Sequence, residues 1–376
     1  MISANFHPHI GGSERQALEL SRALQSAGWR VTVLTRHTDK SLPKEELLSG
    51  IRIKRLFAPF SGLLNAVCFM FSLFAEMLRT KDDYCAIHVH MASSPAVAAA
   101  FAGRLLKKPV FVKIAASRGF GDIATSRATL AGRLKLIVLS MLGPTLLIIN
   151  KEMEEELKRS PVCILHTYRF RNGVDTAAYT QETPEGKERA KRGLSLKTGP
   201  VFLFAGRITA QKNLPAFLRA WTEQARRSPQ AQLAIVGDGD KKAELEKLAV
   251  RLNAGDSVIF AGPTDDVRPW YAAADVFVLP SLAEGLSNSM LEAMACGLPV
   301  LASGVGGAAD AIKNGESGFL FAPQDTAAMT EAINRFLAEP ELAAKMGAMA
   351  RKEAERHYAM SDVAREIAGL YLSAKK

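Results

Sequence analysis

Cysteine is scarce in this chain of 376 residues, and the four cysteines that occur lie far apart. Cys68, Cys85, Cys163 and Cys296 include no Cys-x-x-Cys pair. Zinc ribbons and disulfide frameworks both depend on clustered or paired cysteines. The sequence therefore predicts neither a structural zinc site nor a disulfide scaffold, and a reducing cytosol suits it best.

No secretory leader is expected either, because no basic segment runs into an apolar stretch with a cleavage site. The opening MISANFHPHIGG has the pattern of the second half of a strand that runs directly into a loop. We expect from this pattern that the beginning is shortened or mis-assigned. We expect it to cost pairing at a sheet edge but no functional motif.

Long apolar runs are nearly absent, and residues 56–75 are the exception, with 20 consecutive uncharged positions. A helix of that length can just cross a bilayer. Pro59, Gly62 and Asn65 interrupt the first half, however, and leave roughly 12–14 helical residues, nearer the length of a buried helix. We expect a core helix, with contact to one membrane leaflet and a true span as the alternatives.

The net charge of +10 is unevenly distributed along the chain. Residues 1–171 contain 24 Lys+Arg against 13 Asp+Glu (+11), whereas residues 172–376 contain 24 against 25 (−1). The basic residues are scattered and no aromatic-interleaved patch accompanies them, so no nucleic-acid partner is expected. A phosphorylated ligand or an anionic membrane surface fits this charge better.

Short β-rich runs alternate with amphipathic stretches along the whole chain, which predicts an α/β fold. Most runs, such as VFLFAG (201–206) and VFVLP (276–280), are continuously apolar, as is typical of parallel strands covered on both faces. We predict two doubly wound parallel-sheet domains, 1–171 and 200–358, joined by the polar linker 172–199. Ligands bind such sheets at the carboxyl ends of the strands.

Three segments carry candidate chemistry, and the first is HPHIGGSERQALELSRAL at 7–24. Gly11 and Gly12 close a strand–loop–helix junction, and Ser13 is the expected N-cap. The backbone N–H groups of such a helix start attract phosphate. A tight turn that simply needs glycine is the alternative, and no G-x-G-x-x-G fingerprint follows any strand.

The second segment, AGRITAQKN at 205–213, follows a strand directly. Arg207 offers a forked set of donors and Lys212 a point charge, a suitable pair for a diphosphate. Two solvated surface charges are the alternative.

The third segment, EGLSNSMLE at 284–292, first suggests the paired carboxylates of a glycoside hydrolase. Its context argues otherwise, because Glu284 falls in a loop and Glu292 inside the following helix. Ser287 or Asn288 caps that helix, whose N-terminus lies between the two carboxylates and is an anion site. A phosphorylated ligand therefore fits better than a glycoside.

Taken in order, these segments and the EAMACGLPV that follows the second glutamate are similar to the pattern of glycosyltransferase family 4. The resemblance covers nearly the whole chain, including HVH (88–90), VGDGD (236–240) and SGVGGAADAI (303–312). It implies the GT-B fold, in which two Rossmann-like domains face each other across a cleft. It also implies that a final helix, 361–374, crosses back onto the first domain.

The resemblance implies a role for each matching residue. Arg207 and Lys212 would bind the donor diphosphate and stabilise the leaving group, and Glu284 would lie near the transferred sugar. Glu292 would hydrogen-bond the nucleotide ribose. The other implied donor-binding residues are Gly12, Gly206, Phe260, Gly262, Gly285, Leu286, Ser287 and Asn288.

One departure from the family pattern concerns the acceptor side. Members often carry histidine where this chain has Ala115, so Lys113, Ser117 and Asp122 are candidates to replace its contacts. His90 is a further acceptor-side candidate, with a satisfied strand-end histidine as the alternative. His88 shares its strand face, but no third metal ligand is apparent, and no metal is expected.

The sequence therefore predicts a cytosolic, membrane-peripheral, retaining glycosyltransferase that needs no cofactor. The expected donor is a UDP- or GDP-sugar, and the expected acceptor is a glycan or a polyprenyl-diphosphate-linked glycan of surface polysaccharide biosynthesis. A sugar-nucleotide epimerase on the same fold is one alternative, although the first half offers only Asp122 as a catalytic carboxylate. An inactive nucleotide-sugar-binding protein is the other, and the intact Arg207, Lys212 and Glu284 disfavour it.

Overall fold

The computed structural model describes residues 1–8, 11–59, 62–115, 121–159 and 166–374, without the side chains of Leu63 and Asp122. The strands are β1 Thr32–His37, β2 Glu45–Leu48, β3 Ile51–Phe57, β4 Ile87–His90, β5 Val110–Lys113, β6 Thr145–Ile148, β7 Thr167–Arg169, β8 Val201–Ala205, β9 Gln232–Val236, β10 Val258–Gly262, β11 Val276–Leu279, β12 Val300–Ser303 and β13 Gly318–Phe321. The helices are α1 Gly12–Ser26, α2 Gly62–Arg79, α3 Ser94–Leu106, α4 Asp122–Arg127, α5 Leu130–Leu142, α6 Lys151–Lys158, α7 Pro184–Gly193, α8 Leu214–Ala225, α9 Lys242–Arg251, α10 Arg268–Ala273, α11 Asn288–Ala295, α12 Gly307–Ala311, α13 Thr326–Ala338, α14 Pro340–Tyr358 and α15 Met360–Ser373.

The chain divides into two compact units. The first unit comprises Met1–Gly173 together with Met360–Lys376, and the second comprises Val174–Ala359. Each unit contains strands that are largely parallel and alternate with helices, so the α/β class and the two Rossmann-like domains are confirmed.

The first unit is built on two sheets with the strand orders β1-β3-β2 and β4-β5-β6-β7. Ile2 forms parallel bridges both to Leu34 of β1 and to Val89 of β4, so the N-terminal segment lies between the two sheets. We expected that a shortened N-terminus would lose pairing only at the edge of a sheet. That expectation is wrong, because Ile2 pairs with strands on both sides. The unpredicted strand β2 is a half-exposed, charged edge that pairs antiparallel with β3.

The final helix, α15, belongs to the first unit. Its apolar stripe includes Val363, Ile367 and Tyr371, which are buried in one cluster with Leu20 and Leu24 of α1. The i, i+4, i+8 spacing of this stripe is the pattern of one helix face against a core.

The second unit has one six-stranded parallel sheet in the order β10-β9-β8-β11-β12-β13. Every residue of β8, β9, β11 and β12 is buried, which explains why these strands read as continuous apolar runs. The strand order reverses between β8 and β11. In open α/β sheets this reversal is the place where ligands bind at the carboxyl ends of the strands.

The prediction of a linker over 172–199 is wrong, because α7 forms within it and packs in the second unit. Thr183 caps α7 by accepting a hydrogen bond from the N–H of Gly186, and Pro184 occupies the first turn. Two lysines of α7, Lys187 and Lys191, pair with the Asp275 carboxylate at 2.8 and 3.2 Å. Ion pairs rather than an apolar face hold α7 in place. Its sequence therefore has no apolar stripe from which a helix could be predicted.

The apolar segment 56–75 forms most of α2, whose residues Phe69, Leu73 and Met77 are buried, as expected of a core helix. The opposite face is not covered, since the Phe71 side chain is 72% exposed. Within the part of the chain that the structure describes, no helix is long and apolar enough to cross a membrane.

Asp275→Ala should loosen α7. The carboxylate also accepts a hydrogen bond of 2.9 Å from the N–H of Val201, so three donors lose this acceptor, although Lys191 keeps its bond to the carbonyl of Gly199. We expect the free energy of local opening of α7 to fall by about 2–3 kcal/mol. Hydrogen exchange of the backbone amides within Pro184–Gly193 measures this change. Asp265→Ala, an exposed acidic position, is the matched control. Unchanged protection of α7 in Asp275→Ala would contradict the anchoring role.

Candidate active site

The loops that follow β8 and β11 meet in the second unit, at the reversal of strand order. Lys212 ends the 3₁₀ turn Ala210–Lys212 after β8, and its ammonium forms an ion pair with Oε1 of Glu284 in the loop after β11. The same oxygen accepts a hydrogen bond of 2.7 Å from the hydroxyl of Ser281. Ser281 and Glu284 are both buried, so one carboxylate oxygen fixes the cation and joins the two loops.

The backbones of these loops are also hydrogen-bonded to each other. The N–H of Leu282 donates to the carbonyl of Gln211 at 2.8 Å, and the side-chain amide of Gln211 donates to the carbonyl of Ala283 at 2.7 Å. The Lys212–Glu284 pair therefore sits on a rigid support and does not depend on two mobile side chains alone.

Close-packed glycines hold both loops from behind. Gly306 has φ +53, and a Cβ on it would lie 1.9 Å from the carbonyl oxygen of Glu284. Gly237, at φ +139, likewise places its Cα against the carbonyl of Gly206, where a Cβ would approach to 2.0 Å. Any side chain at either position would displace the loop that it supports.

Helix α11 begins directly after the Glu284 loop. Ser287 is its N-cap, with the hydroxyl accepting from the N–H of Met290 at 3.4 Å, which confirms the predicted cap. Asn288 is the first helical residue, and Gly285 and Leu286 are buried in front of it. The positive end of the helix thus lies between Glu284 and Glu292, and an anion is favoured there.

Glu292 lies inside α11 and is buried beside Tyr271 of α10. The Tyr271 hydroxyl donates to Oε2 of Glu292 at 2.9 Å and also lies 3.1 Å from the carbonyl oxygen of Ser289. Burial, followed by the charge of Glu292, raises the pKa of the Tyr271 phenol well above its usual value, so the hydroxyl stays a donor.

The remaining predicted donor residues lie at the same edge of the sheet. Arg207 is exposed immediately after Gly206, which follows β8, and no hydrogen bond or ion pair engages its guanidinium among the described residues. Phe260 is half-buried in β10, and Gly262 ends that edge strand at φ +74 after an irregularity in the pairing with β9.

Sequence reasoning missed three residues of this site. Ser281 directly follows the predicted strand VFVLP but was given no role, Tyr271 lies in a short helix without a motif, and Gly306 was included only within SGVGGAADAI. The available signals were the position of Ser281 directly after an apolar strand and the paired glycines at 306 and 307.

In the first unit, α1 starts at Gly12 with Gly11 in extended conformation as N-cap. The prediction of Ser13 as N-cap is wrong, because Ser13 lies inside the first turn and its hydroxyl donates to the carbonyl of His90 at 3.4 Å. Glycine at the cap leaves the helix start without a side-chain acceptor.

His88 and His90 are buried on one face of β4, with their rings stacked 4.4 Å apart. Nδ1 of His88 is hydrogen-bonded to the Tyr371 hydroxyl at 2.5 Å, which fixes α15 to the sheet. Both ring nitrogens of His90 are buried and have no hydrogen-bond partner in the described part of the chain. The alternative of a satisfied strand-end histidine therefore does not hold for His90.

Lys113, the last residue of β5, lies opposite His90 in the register between β5 and β4. The Lys113 ammonium lies 5.8 Å from the ring centroid of Phe170. Burial lowers the pKa of Lys113 from 10.5 to about 7. Burial also lowers the pKa of both His88 and His90 well below 6.5, so the histidines are neutral; the charge of Lys113 adds to this at His88, and His88 followed by Lys113 adds to it at His90.

The structure does not describe the side chains of the other two acceptor-side candidates. Ser117 lies outside the described residues, and Asp122 begins α4 but its side chain is not described. Among the side chains that the structure does describe, no three His, Cys, Asp or Glu residues are grouped to hold a metal ion.

Two family models match the chain: Glycosyltransferase Family 4 over residues 10–113 and Glycosyl transferases group 1 over residues 199–339. The chain is 32% identical to D-inositol 3-phosphate glycosyltransferase 2 of Catenulispora acidiphila, an alignment that covers 96% of this chain and 90% of that protein. It is 34% identical, over half of each chain, to the GDP-mannose-dependent alpha-(1-6)-phosphatidylinositol monomannoside mannosyltransferase of Mycolicibacterium smegmatis.

Among solved structures, Anabaena HepE in complex with UDP-glucose matches with a TM-score of 0.80, covering 99% of this chain and 98% of that one. The sequence identity is 20%, so this likeness shows the fold. The two Rossmann-like units and these matches define a GT-B glycosyltransferase. The chain belongs to the group 1 glycosyltransferases of family 4.

Tyr271→Phe tests whether Glu292 needs its hydrogen bond to stay in position for the donor. The variant keeps the buried ring and removes only the hydroxyl that donates to the carboxylate. We expect about tenfold weaker binding of the nucleotide sugar, roughly 1.4 kcal/mol, measured by calorimetry. Tyr168→Phe removes a comparable bond of 2.9 Å to Glu366 in the first unit and is the control. Equal donor affinity in Tyr271→Phe and wild type would refute this role.

Lys113→Met tests the buried ammonium through the pH dependence of stability. Between pH 7 and 10.5 the unfolded chain holds a proton on Lys113 that the folded chain lacks. The free energy of unfolding therefore rises with pH, by up to about 1.4 kcal/mol per pH unit. The stability of wild type relative to Lys113→Met should increase from about pH 7.5 to 9.5, with both histidines neutral throughout.

The measurement is hydrogen exchange of the β5 amides, compared between the two proteins at each pH so that intrinsic exchange rates cancel. A difference in protection that stays constant across this range would show that Lys113 is not desolvated.

Proposed function

We propose that the protein transfers a hexosyl or hexosaminyl group from a UDP- or GDP-sugar to a hydroxyl acceptor with retention of the anomeric configuration. The observation that carries the proposal is the Lys212–Glu284–Ser281 constellation beside Arg207, directly in front of the N-terminus of α11. Two cations and a helix start in one place supply the positive charge that a departing diphosphate needs.

In the proposed reaction, the bond between the sugar C1 and the diphosphate oxygen breaks, and its electron pair leaves with the diphosphate. The acceptor oxygen then bonds to C1 from the face that the diphosphate left, and the acceptor proton goes to a diphosphate oxygen. Arg207 and Lys212 stabilise the charge that grows on the leaving group, which favours the transition state over the bound substrate.

Glu284 has two tasks in this proposal. It holds the Lys212 ammonium at the diphosphate, and it lies on the sugar side of the α11 N-terminus. Glu292 lies one to two turns further into the helix and binds the ribose. The cations provide the charge that a divalent metal supplies elsewhere, so we propose that transfer requires no metal.

We propose uracil or guanine as the base of the donor nucleotide. One relative is named GDP-mannose-dependent, and the similar Anabaena structure contains UDP-glucose. We propose that this base lies against the half-buried Phe260 and against Gly262 at the end of β10.

For the acceptor, we propose a hydroxyl on a phosphate-bearing molecule, which includes lipid-linked glycans. The Lys113 ammonium and the unpaired nitrogens of His90 form a buried polar group at the ends of β4 and β5. The names of the relatives, an inositol 3-phosphate and a phosphatidylinositol mannoside transferase, support a phosphate. Surface polysaccharide biosynthesis, and a cytoplasmic site at the inner face of a membrane, stay predictions.

Lys212→Ala and Arg207→Ala should each lower the transfer rate at least about 10²-fold, the typical cost of removing one charge-stabilising donor. The donor for the assay is the UDP- or GDP-sugar that gives the largest thermal stabilisation of wild type. Turnover is followed by release of nucleoside diphosphate, with and without EDTA, and the product linkage is assigned by proton NMR.

Arg251→Ala, at the end of α9, is the control for loss of an exposed arginine in the same unit. Since Arg207 is exposed, its variant should unfold at the wild-type temperature. Undiminished turnover in Lys212→Ala would refute the catalytic assignment, inversion at C1 would refute retention, and loss of activity in EDTA would refute metal independence.

A further inference from the structure

The first unit exposes an apolar face on the adjacent helices α3 and α5. On α5, the exposed residues Leu130, Leu134, Ile137 and Met141 follow one another at spacings of four, three and four, which is a single helical stripe. Phe101 and Leu105 of α3 extend it. We define these six residues as the apolar face; Leu130, Met141 and Leu134 are 83%, 73% and 62% exposed.

Contacts between the helices make this face continuous. The guanidinium of Arg104, between Phe101 and Leu105 on α3, donates to the carbonyl of Met141 at the end of α5. On the other side, the ring of Phe101 lies 5.6 Å from that of Phe74 on α2, the helix that exposes Phe71. Contiguous exposed apolar surface of this kind marks an interaction site in a soluble protein.

Exposed cations bracket the apolar face. Arg127 ends α4 and Arg133 lies in the first turn of α5, where its guanidinium donates to the carbonyl of Arg127 at 2.8 Å. Arg104 and Lys107 lie at the opposite end of the face. No carboxylate pairs with these four cations among the described residues. From residue 84 to 151 the sequence has nine Lys+Arg and one Asp+Glu.

We propose that this apolar face docks the protein on an anionic lipid bilayer. Aliphatic side chains flanked by cations match an interface of acyl chains beneath anionic headgroups. At 13 residues, α5 is too short to cross a bilayer and would lie in its surface plane. A symmetric dimer through this face would bring like charges together, so a second copy is the less favoured occupant.

This inference extends beyond the proposed transfer reaction, because the apolar face shares no residue with the Lys212–Glu284 pair or with the Lys113 cluster. Its test uses the full-length protein and sedimentation with vesicles of phosphatidylcholine, with or without phosphatidylglycerol, at low and high salt. Wild type should bind the anionic vesicles, bind the neutral ones weakly, and bind less as salt rises.

Two double variants separate the two contributions. Leu130→Gln with Leu134→Gln should lower the vesicle partition coefficient at least about tenfold, since two exposed leucines lose their insertion. Arg104→Gln with Arg133→Gln should lower it about 30-fold on anionic vesicles and little on neutral ones. Val250→Gln with Arg251→Gln, an exposed apolar–basic pair on α9 of the second unit, is the matched control and should bind as wild type does.

The proposal is overturned if wild type does not bind anionic vesicles or if either double variant binds as tightly as wild type. It is also overturned if light scattering shows a dimer that Leu130→Gln with Leu134→Gln dissociates. Thermal stabilisation by the nucleotide sugar should be the same in all variants. Vesicle binding without any transfer would refute the proposed function and leave the docking surface standing.

Discussion

The reversal of strand order between β8 and β11 is the constraint on which the candidate site depends. The two strands are neighbours and parallel, so the loops at their carboxyl ends start side by side and then diverge. The divergence opens the space for a ligand. It also brings Lys212 from one loop and Glu284 from the other together in a partly buried place, where each charge requires the other.

Packing behind the loops makes that ion pair useful for chemistry. Gly306 and Gly237 allow backbone to contact backbone behind Glu284 and Gly206, and the Gln211 hydrogen bonds lock the loops to each other. Donors that are fixed before the ligand binds need no reorganisation when charge develops on it. The site is thus preorganised mainly by main-chain contacts, with a few side chains placed on this support.

The fold was largely predictable because buried parallel strands leave an unambiguous signal. VFVLP and VFLFAG are uninterrupted apolar runs, and they became β11 and β8. Segments held by charge or by edge pairing were not predictable in the same way. Helix α7 rests on the Asp275 carboxylate, 82–91 positions away in sequence from its two ends, and β2 is a half-exposed edge.

The same distinction applies to the candidate site. Arg207, Lys212, Glu284 and Glu292 stand in motifs with fixed spacing, so their shared edge of the sheet could be predicted from the sequence. Tyr271 was missed because its contact with Glu292 crosses from one helix to another and has no local pattern. Ser13 was misassigned because a good capping residue does not cap when the helix starts two residues earlier, with Gly11 as the N-cap.

The charge imbalance between the two halves of the sequence now has a structural basis. In the second half the charges nearly cancel, and we propose that the positive charge that meets a diphosphate is local: Arg207, Lys212 and the start of α11. In the first unit, two of the places that carry positive charge differ in their surroundings. Lys113 is buried and its pKa is lowered, which suits a group that awaits an anionic ligand. The cations around the apolar face are exposed and unpaired among the described residues, which suits a weak, salt-sensitive, extended contact. Salt should separate the two proposed interactions, because it screens exposed charges far more than a buried one.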